Sequence, residues 1–182
     1  MWVKAMSNLS KTYANALFEL SLEENIADEV LCQSKEIKEL LLQNPEFIKL
    51  LDAPTIPKEE KVRVADKTFG DSVNKNLLNF MKVMIERKNA NELLHSIDDF
   101  EVLYNKHYGI EKAVAITAVP MSEEMKNKLC EKLAKVTGEK IILTNKVDPS
   151  VIGGVVLEFS DKQYNDSIAN KLNELKVRLK KI

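Results

Sequence analysis

VDPSVIGGVVLEFSDKQYNDSIANKL, residues Val147 to Leu172, brings several changes of backbone pattern into one stretch. The Asp148-Pro149 pair ends one extended run, because proline fixes its own φ and removes a ladder donor. Gly153-Gly154 then allows the turn from which a second run, Gly154 to Phe159, leaves with β-like apolar residues. Asn165 or Asp166 can cap a last helix with the stripe Ile168, Leu172, Leu175 and Leu179, which is expected to pack on a sheet. Lys176, Arg178, Lys180 and Lys181 suit the carboxyl end of that helix electrostatically.

Upstream, two more runs read as strands, Ala113 to Val119 and Lys140 to Val147. Between them Ser122 can cap a helix carrying Met125, Leu129, Leu133 and Val136 on one face, and Gly138 can end it. The order is βαββα. Before Gly109 the pattern is different: Gly70 is the sole glycine there, and the chain reads as helices over about Leu9–Leu22, Ile26–Leu42, Pro45–Leu51, Pro57–Phe69, Val73–Arg87 and Glu92–Lys106. Asn44 can cap the helix that begins at Pro45, and Ser72 the one that begins near Val73. The expected fold is therefore α plus α/β: a six-helix bundle over residues 1–106, followed by a small βαββα domain over residues 107–182. Met6 is as good a start as Met1, so residues 1–5 carry no weight in this reading.

Composition narrows the function. Of 182 residues 45% are apolar and 30% charged, with a net charge of -1, so the basic excess that nucleic-acid binding rewards is missing. Residues 1–106 hold 14 basic and 18 acidic side chains (net -4) and residues 107–182 hold 13 and 10 (net +3), which suggests different partners for the two parts. No run of about 18 apolar residues is present, so any membrane association is expected to be indirect. Cys32 and Cys130 are far apart and read as buried, inert thiols in a reduced compartment.

Candidate chemistry is sparse. His95 and His107 are twelve residues apart on one expected helix and turn to different faces, which disfavours a metal pair. The adjacent acids Glu59-Glu60, Asp98-Asp99 and Glu123-Glu124 diverge on a helix and read as solvated faces or helix-start electrostatics. Val136 to Lys140, VTGEK, and Gly153-Gly154 lack the glycine spacing and the Lys-Ser/Thr end of a phosphate loop, so a turn and a close-packed strand start are preferred. No catalytic residue, metal or cofactor is expected.

Two helices carry more apolar surface than one core stripe needs. On the first, Ala14, Leu17 and Phe18 suit a core with Ser21 beside them, leaving Tyr13, Ala16 and Leu20 on an adjoining face. On the fifth, Leu77, Leu78, Met81, Met84 and Ile85 form one wide stripe, while Phe80 and Val83 point away from its centre. These faces suit a groove for an amphipathic partner helix, or else they are covered by other helices of the same chain; periodicity leaves both open.

Several segments resemble one family. YANALFEL (Tyr13 to Leu20), NFMKVMIERKN (Asn79 to Asn89), the run Phe100 to Val119 and above all ILTNKVDPSVIGGVVLEFSDKQYNDSIANKL (Ile142 to Leu172) are similar, in order and spacing, to the δ subunit of rotary ATP synthase, the oligomycin-sensitivity-conferring protein of mitochondria. The resemblance implies a non-catalytic part of the peripheral stalk, which keeps the catalytic head from turning with the rotor during proton-driven ATP synthesis. It implies that the helical domain binds the amino-terminal helix of an α subunit between its first and fifth helices, and that the second domain meets the carboxyl-terminal helices of the b subunits. Tyr13, Ala16, Phe80 and Val83 are then the expected groove residues, with Leu20 and Arg87 beside them. The expected setting is peripheral, at the cytoplasmic face of a bacterial plasma membrane.

Overall fold

The computed structural model describes residues 8–70, 72–159, 163–165, 167–168 and 170. The chain divides into two compact units, Met1–Tyr104 and Asn105–Ile182.

Among the described residues the first unit holds six α-helices: α1 (Asn8–Glu23), α2 (Ala27–Gln43), α3 (Pro45–Asp52), α4 (Lys58–Phe69), α5 (Lys75–Glu86) and α6 (Leu93–His107), whose last residues run past the division. Their limits have local causes. Asn25 takes a left-handed φ of 57°, which asparagine tolerates, and ends α1 while the Ile26 N–H bonds back to the Ser21 carbonyl. Pro45 opens α3 where its missing N–H costs nothing. Two expected caps are corrected. The Asn44 side chain makes no cap bond to α3; its Nδ2 donates back to the Leu40 carbonyl and closes α2 instead. Asn74, not Ser72, caps α5, its side chain accepting from the Asn76 N–H at 3.0 Å. That choice is tertiary, because the Asn74 N–H donates to Gln33 on α2 at 2.7 Å and so fixes where the helix can begin.

The core of this unit gathers Ala14, Leu17 and Phe18 of α1, Val30, Ile37 and Leu41 of α2, Leu77, Met81 and Met84 of α5, and Phe100 of α6. Phe18 and Phe100 meet edge to face at 5.7 Å, a geometry aromatic quadrupoles favour. Asp99 does not belong to a solvated face as expected: it is buried and accepts the Ser10 hydroxyl at 2.6 Å, which ties α6 to α1. A buried carboxylate needs such a donor.

The second unit holds, among the described residues, a four-stranded sheet and the helix α7 (Glu123–Thr137). The strands are β1 (Ile110–Thr117), β2 (Lys140–Val147), β3 (Val155–Glu158) and β4 (Gln163–Asn165), in the order β2-β1-β3-β4. β1 and β2 run parallel, Ile110 opposite Lys140 through Thr117 opposite Val147, as the α7 crossover requires. β3 returns antiparallel to β1, and β4 antiparallel to β3. β4 is a correction to βαββα, since the expectation left residues 163–165 outside any strand. The stripe residues Leu172, Leu175 and Leu179 of the expected last helix lie outside the described residues. Ile168, its first stripe residue, is exposed, but its Cδ1 lies where a Cβ on Gly153 would come within 2.9 Å.

Alternation along β1 turns Ala113, Ala115 and Thr117 inward, and Leu129, Cys130 and Leu133 of α7 pack on Ala113, Ala115 and Leu143. Ser122 caps α7 through the Met125 N–H, and Gly138 ends it at φ 75°. Only the middle of the expected α7 stripe is used, because Met125 and Val136 are exposed. Cys130 is half-buried and Cys32 exposed, with its Sγ toward Glu36, so neither thiol is fully buried as expected. α7 covers only part of the sheet, and α2 turns Cys32 away from its core face.

The Gly153-Gly154 segment has an unusual backbone. The Gly153 N–H bonds to the Val151 carbonyl at 2.7 Å, so Ile152, at φ 64° and ψ -44°, is the centre of a γ-turn of the strained sense. Gly154 follows at φ 81° and releases the chain into β3. The pair is thus a turn and strand start.

Candidate functional site

α1 packs on α5, and the aromatic contact between them is Tyr13 with Phe80, edge to face with ring centroids 6.4 Å apart. The sequence places Ala16 and Leu20 three and seven residues beyond Tyr13, on the same side of α1. Val83 and Arg87 stand in the same relation to Phe80 on α5. The two helices are held in place by polar contacts at the ends and flanks of α5. Asn76 donates to Glu24 just after α1 at 2.7 Å, and Lys82 pairs with Asp66 of α4.

The six expected residues do not share one environment. Ala16, Leu20, Val83 and Arg87 are exposed, Leu20 by 37% and Val83 by 43%. Tyr13 is half-buried and packs against the core. Phe80, expected off the core stripe, is only 9% exposed and belongs to the core cluster. Phe80 joins that cluster across helices, with the Tyr13 ring of α1 meeting it edge to face. Periodicity within α5 carries no information about that. The face is thus an aromatic floor, Tyr13 over Phe80, bordered by the aliphatic side chains Leu20 and Val83. Leu9 was not singled out in the sequence, yet it is 40% exposed and lies seven residues before Ala16, so it extends the same side of α1. Its spacing was the available signal.

No group of three or more His, Cys, Asp or Glu side chains converges among the described residues. His95 and His107 are exposed on α6, and His107 meets Tyr108 edge to face at 4.9 Å. Asp148 has its carboxyl held below the usual range, first by the Ser150 hydroxyl and then by the Ser150 backbone N–H, with Lys146 adding attraction. The bond from that N–H, 2.9 Å, shapes the turn after β2 and belongs to the scaffold. Among the described residues no helix is long and apolar enough to cross a membrane.

Among the described residues the fold and this face define a two-unit α-plus-β protein: six α-helices in one unit, a four-stranded sheet in the other, and solvent-facing aliphatic side chains on the two helices that bring half-buried Tyr13 against buried Phe80. The family model described as ATP synthase delta (OSCP) subunit matches residues 9–179, and the chain belongs to that family. It is 34% identical over 174 residues to the ATP synthase subunit delta of Alkaliphilus oremlandii (strain OhILAs), covering 96% of this chain and 97% of that relative. It is 30% identical over 177 residues to the ATP synthase subunit delta of Prochlorococcus marinus (strain MIT 9301), covering 97% and 98%. Its fold is also similar to a chain in the cryo-EM structure of the Toxoplasma gondii mitochondrial ATP synthase hexamer. That match has a TM-score of 0.74 and 19% identity, over 95% of this chain and 98% of the other.

Proposed function

We propose that this chain is the non-catalytic peripheral-stalk subunit of a rotary proton-translocating ATP synthase, linking the α/β head to the b subunits and resisting rotor torque. The observation that carries the reading is the α1–α5 face, where Leu20 and Val83 stay in solvent beside the Tyr13–Phe80 floor. Large aliphatic side chains left exposed next to a rigid aromatic pair suit the apolar stripe of an amphipathic helix. The occupant in this reading is the amino-terminal helix of an α subunit, which membership of the ATP synthase delta family supports. In this reading the helices of residues 1–106 act as one six-helix bundle that grips the head, and residues 107–182 face the carboxyl-terminal helices of the b subunits. Tyr13 and Phe80 form the floor, Ala16 allows close approach, Leu20 and Val83 contribute apolar contact, and Arg87 borders the partner. The setting is the cytoplasmic side of a bacterial plasma membrane, reached through the complex; bacterial relatives support it.

A stator must hold through many turnovers, and nanomolar binding corresponds to about -12 kcal/mol. A few well-buried anchors can supply most of that. The test is capture of α amino-terminal and b carboxyl-terminal peptides by the full chain. Val83→Asp would leave an unpaired carboxylate under the bound helix, so α-peptide affinity is expected to fall at least about tenfold, or ~1.4 kcal/mol, with helix content and melting unchanged. Wild-type affinity in the folded variant would remove Val83 from the groove, and failure to capture either peptide would sink the stalk reading.

A further inference from the structure

The second unit holds a preformed apolar cleft of about 610 Å³ between the exit of β1, the first turns of α7 and the turn that enters β3. Three of its aliphatic side chains are mostly in solvent: Val119 (68%), Met125 (60%) and Ile152 (63%). Met125 stands on α7, and the two loops that carry Val119 and Ile152 are tied by local hydrogen bonds. Asn145 of β2 donates to the Ala115 carbonyl and the Thr117 hydroxyl oxygen, each at 2.8 Å, and accepts from the Met121 N–H at 2.9 Å. The Thr117 hydroxyl donates in turn to the Val119 carbonyl at 2.7 Å. Val119 therefore stands on a pinned segment. On the facing turn Ile152 occupies the strained γ-turn centre, yet its side chain gains little burial among the described residues. A β-branched residue held in that conformation and presented to solvent is a cost without a return inside the described fold.

The charged side chains of the lining are both lysines, Lys128 and Lys132, one turn apart on α7. Lys128 also meets Glu124 one turn back, at 67% and 77% side-chain exposure, where such a pair is weak and readily exchanged. A spacing of four residues on a helix is matched by carboxylates three or four residues apart on a second helix lying alongside. We propose that this cleft docks an amphipathic helix of a partner protein whose apolar stripe is flanked by glutamate or aspartate, with Val119, Met125 and Ile152 gripping the stripe and Lys128 and Lys132 pairing with its carboxylates. The proposal rests on the reading of the second unit as the stalk-facing part, and specifies where and by what chemistry it grips.

The test uses the full chain and two synthetic helices with the same leucine stripe, one flanked by glutamates and one by lysines, in a fluorescence anisotropy titration at low salt. The glutamate helix is expected to bind at least about tenfold more tightly than the lysine helix, with the difference shrinking as salt screens the pairs. Met125→Glu should weaken the glutamate helix at least about tenfold while circular dichroism and melting stay as in wild type, and Lys132→Glu should erase the preference. If Met125→Glu does not fold, Ile152→Ser serves as the apolar arm, read as loss of affinity for the glutamate helix. Equal affinity for the two helices, wild-type binding by the folded apolar variant, or uptake of a small apolar dye with rejection of both helices would each overturn the proposal. Capture of the b peptide by wild type and by the folded apolar variant alike would leave the stalk reading standing and exclude this cleft from it.

Discussion

In the helical unit the fully buried side chains include Phe100, Ile37, Leu41, Met81 and Met84, whereas the described core of the sheet unit centres on Ala113, Ala115 and Leu143. One unit fills its interior with long side chains from all six helices, among them Phe18, Ile37, Leu51, Phe69, Met81 and Phe100. The other brings α7 onto two alanines, close enough that its geometry depends on small residues and on polar bonds at the turns. Burial of a Leu, Met or Phe side chain contributes about 1.5–3 kcal/mol, so the first unit has a surplus of apolar stabilisation to draw on. In the second, Ser122, Asn145 and Asp148 position the backbone by specific bonds. The difference is that the helical unit tolerates an exposed docking face on a thick core, while the sheet unit builds its exposed cleft from pinned loops.

Substitutions can break this contrast. Leu17→Ala opens a cavity beside Phe18 and Phe100 and should cost about 2–5 kcal/mol in a denaturant melt; an unchanged midpoint would mean that the large core is not where stability resides. Ala115→Leu should cost about 1–3 kcal/mol for the opposite reason, overpacking under α7, and a neutral result would show that the sheet unit is loosely packed. Asn74→Ala should cost about 1 kcal/mol, with Ser72→Ala close to zero, which separates the observed cap of α5 from the one expected in sequence. The smallest effect concerns Asp148. Its carboxyl is held below the usual range, so its contribution is full above the ordinary carboxylate value and is lost as pH falls through the lowered one. Protection of the Ser150 amide, its exchange rate compared with the intrinsic rate at the same pH, should therefore fall in that acidic window in the wild type and already be low at neutral pH in Asp148→Ala.

Much of the architecture was legible because it is periodic. The core stripe Ala14, Leu17 and Phe18 and the wide stripe of α5 follow from 3.6-residue spacing, and all six helices lie within two residues of their expected limits. The single strand that periodicity missed, β4, is three residues long and forms by pairing with β3, so it has little pattern of its own. The candidate face was legible in part. Ala16, Leu20 and Val83 are exposed, but Phe80 lies beneath Tyr13, and Leu9 was overlooked although its spacing marked it.

By itself the sequence determined the six helices before Gly109, α7, the strands β1 to β3, their order and the family, since propensity, capping and spacing are local and family likeness is carried along the chain. Tertiary structure decided which of two adjacent acids, Asp98 or Asp99, is buried, since only a partner such as Ser10, 89 positions away, can satisfy it. It also decided which asparagine caps α5, that Phe80 is a floor instead of a rim, and that Val119, Met125 and Ile152 line one cleft. Each of these depends on groups far apart in the chain meeting at bonding or contact distance, which no local pattern records. The segment Val147 to Leu172 shows both sides: its glycines were readable as a turn, while the strain at Ile152 and the contact of Ile168 over Gly153 exist only once the chain has folded back on itself.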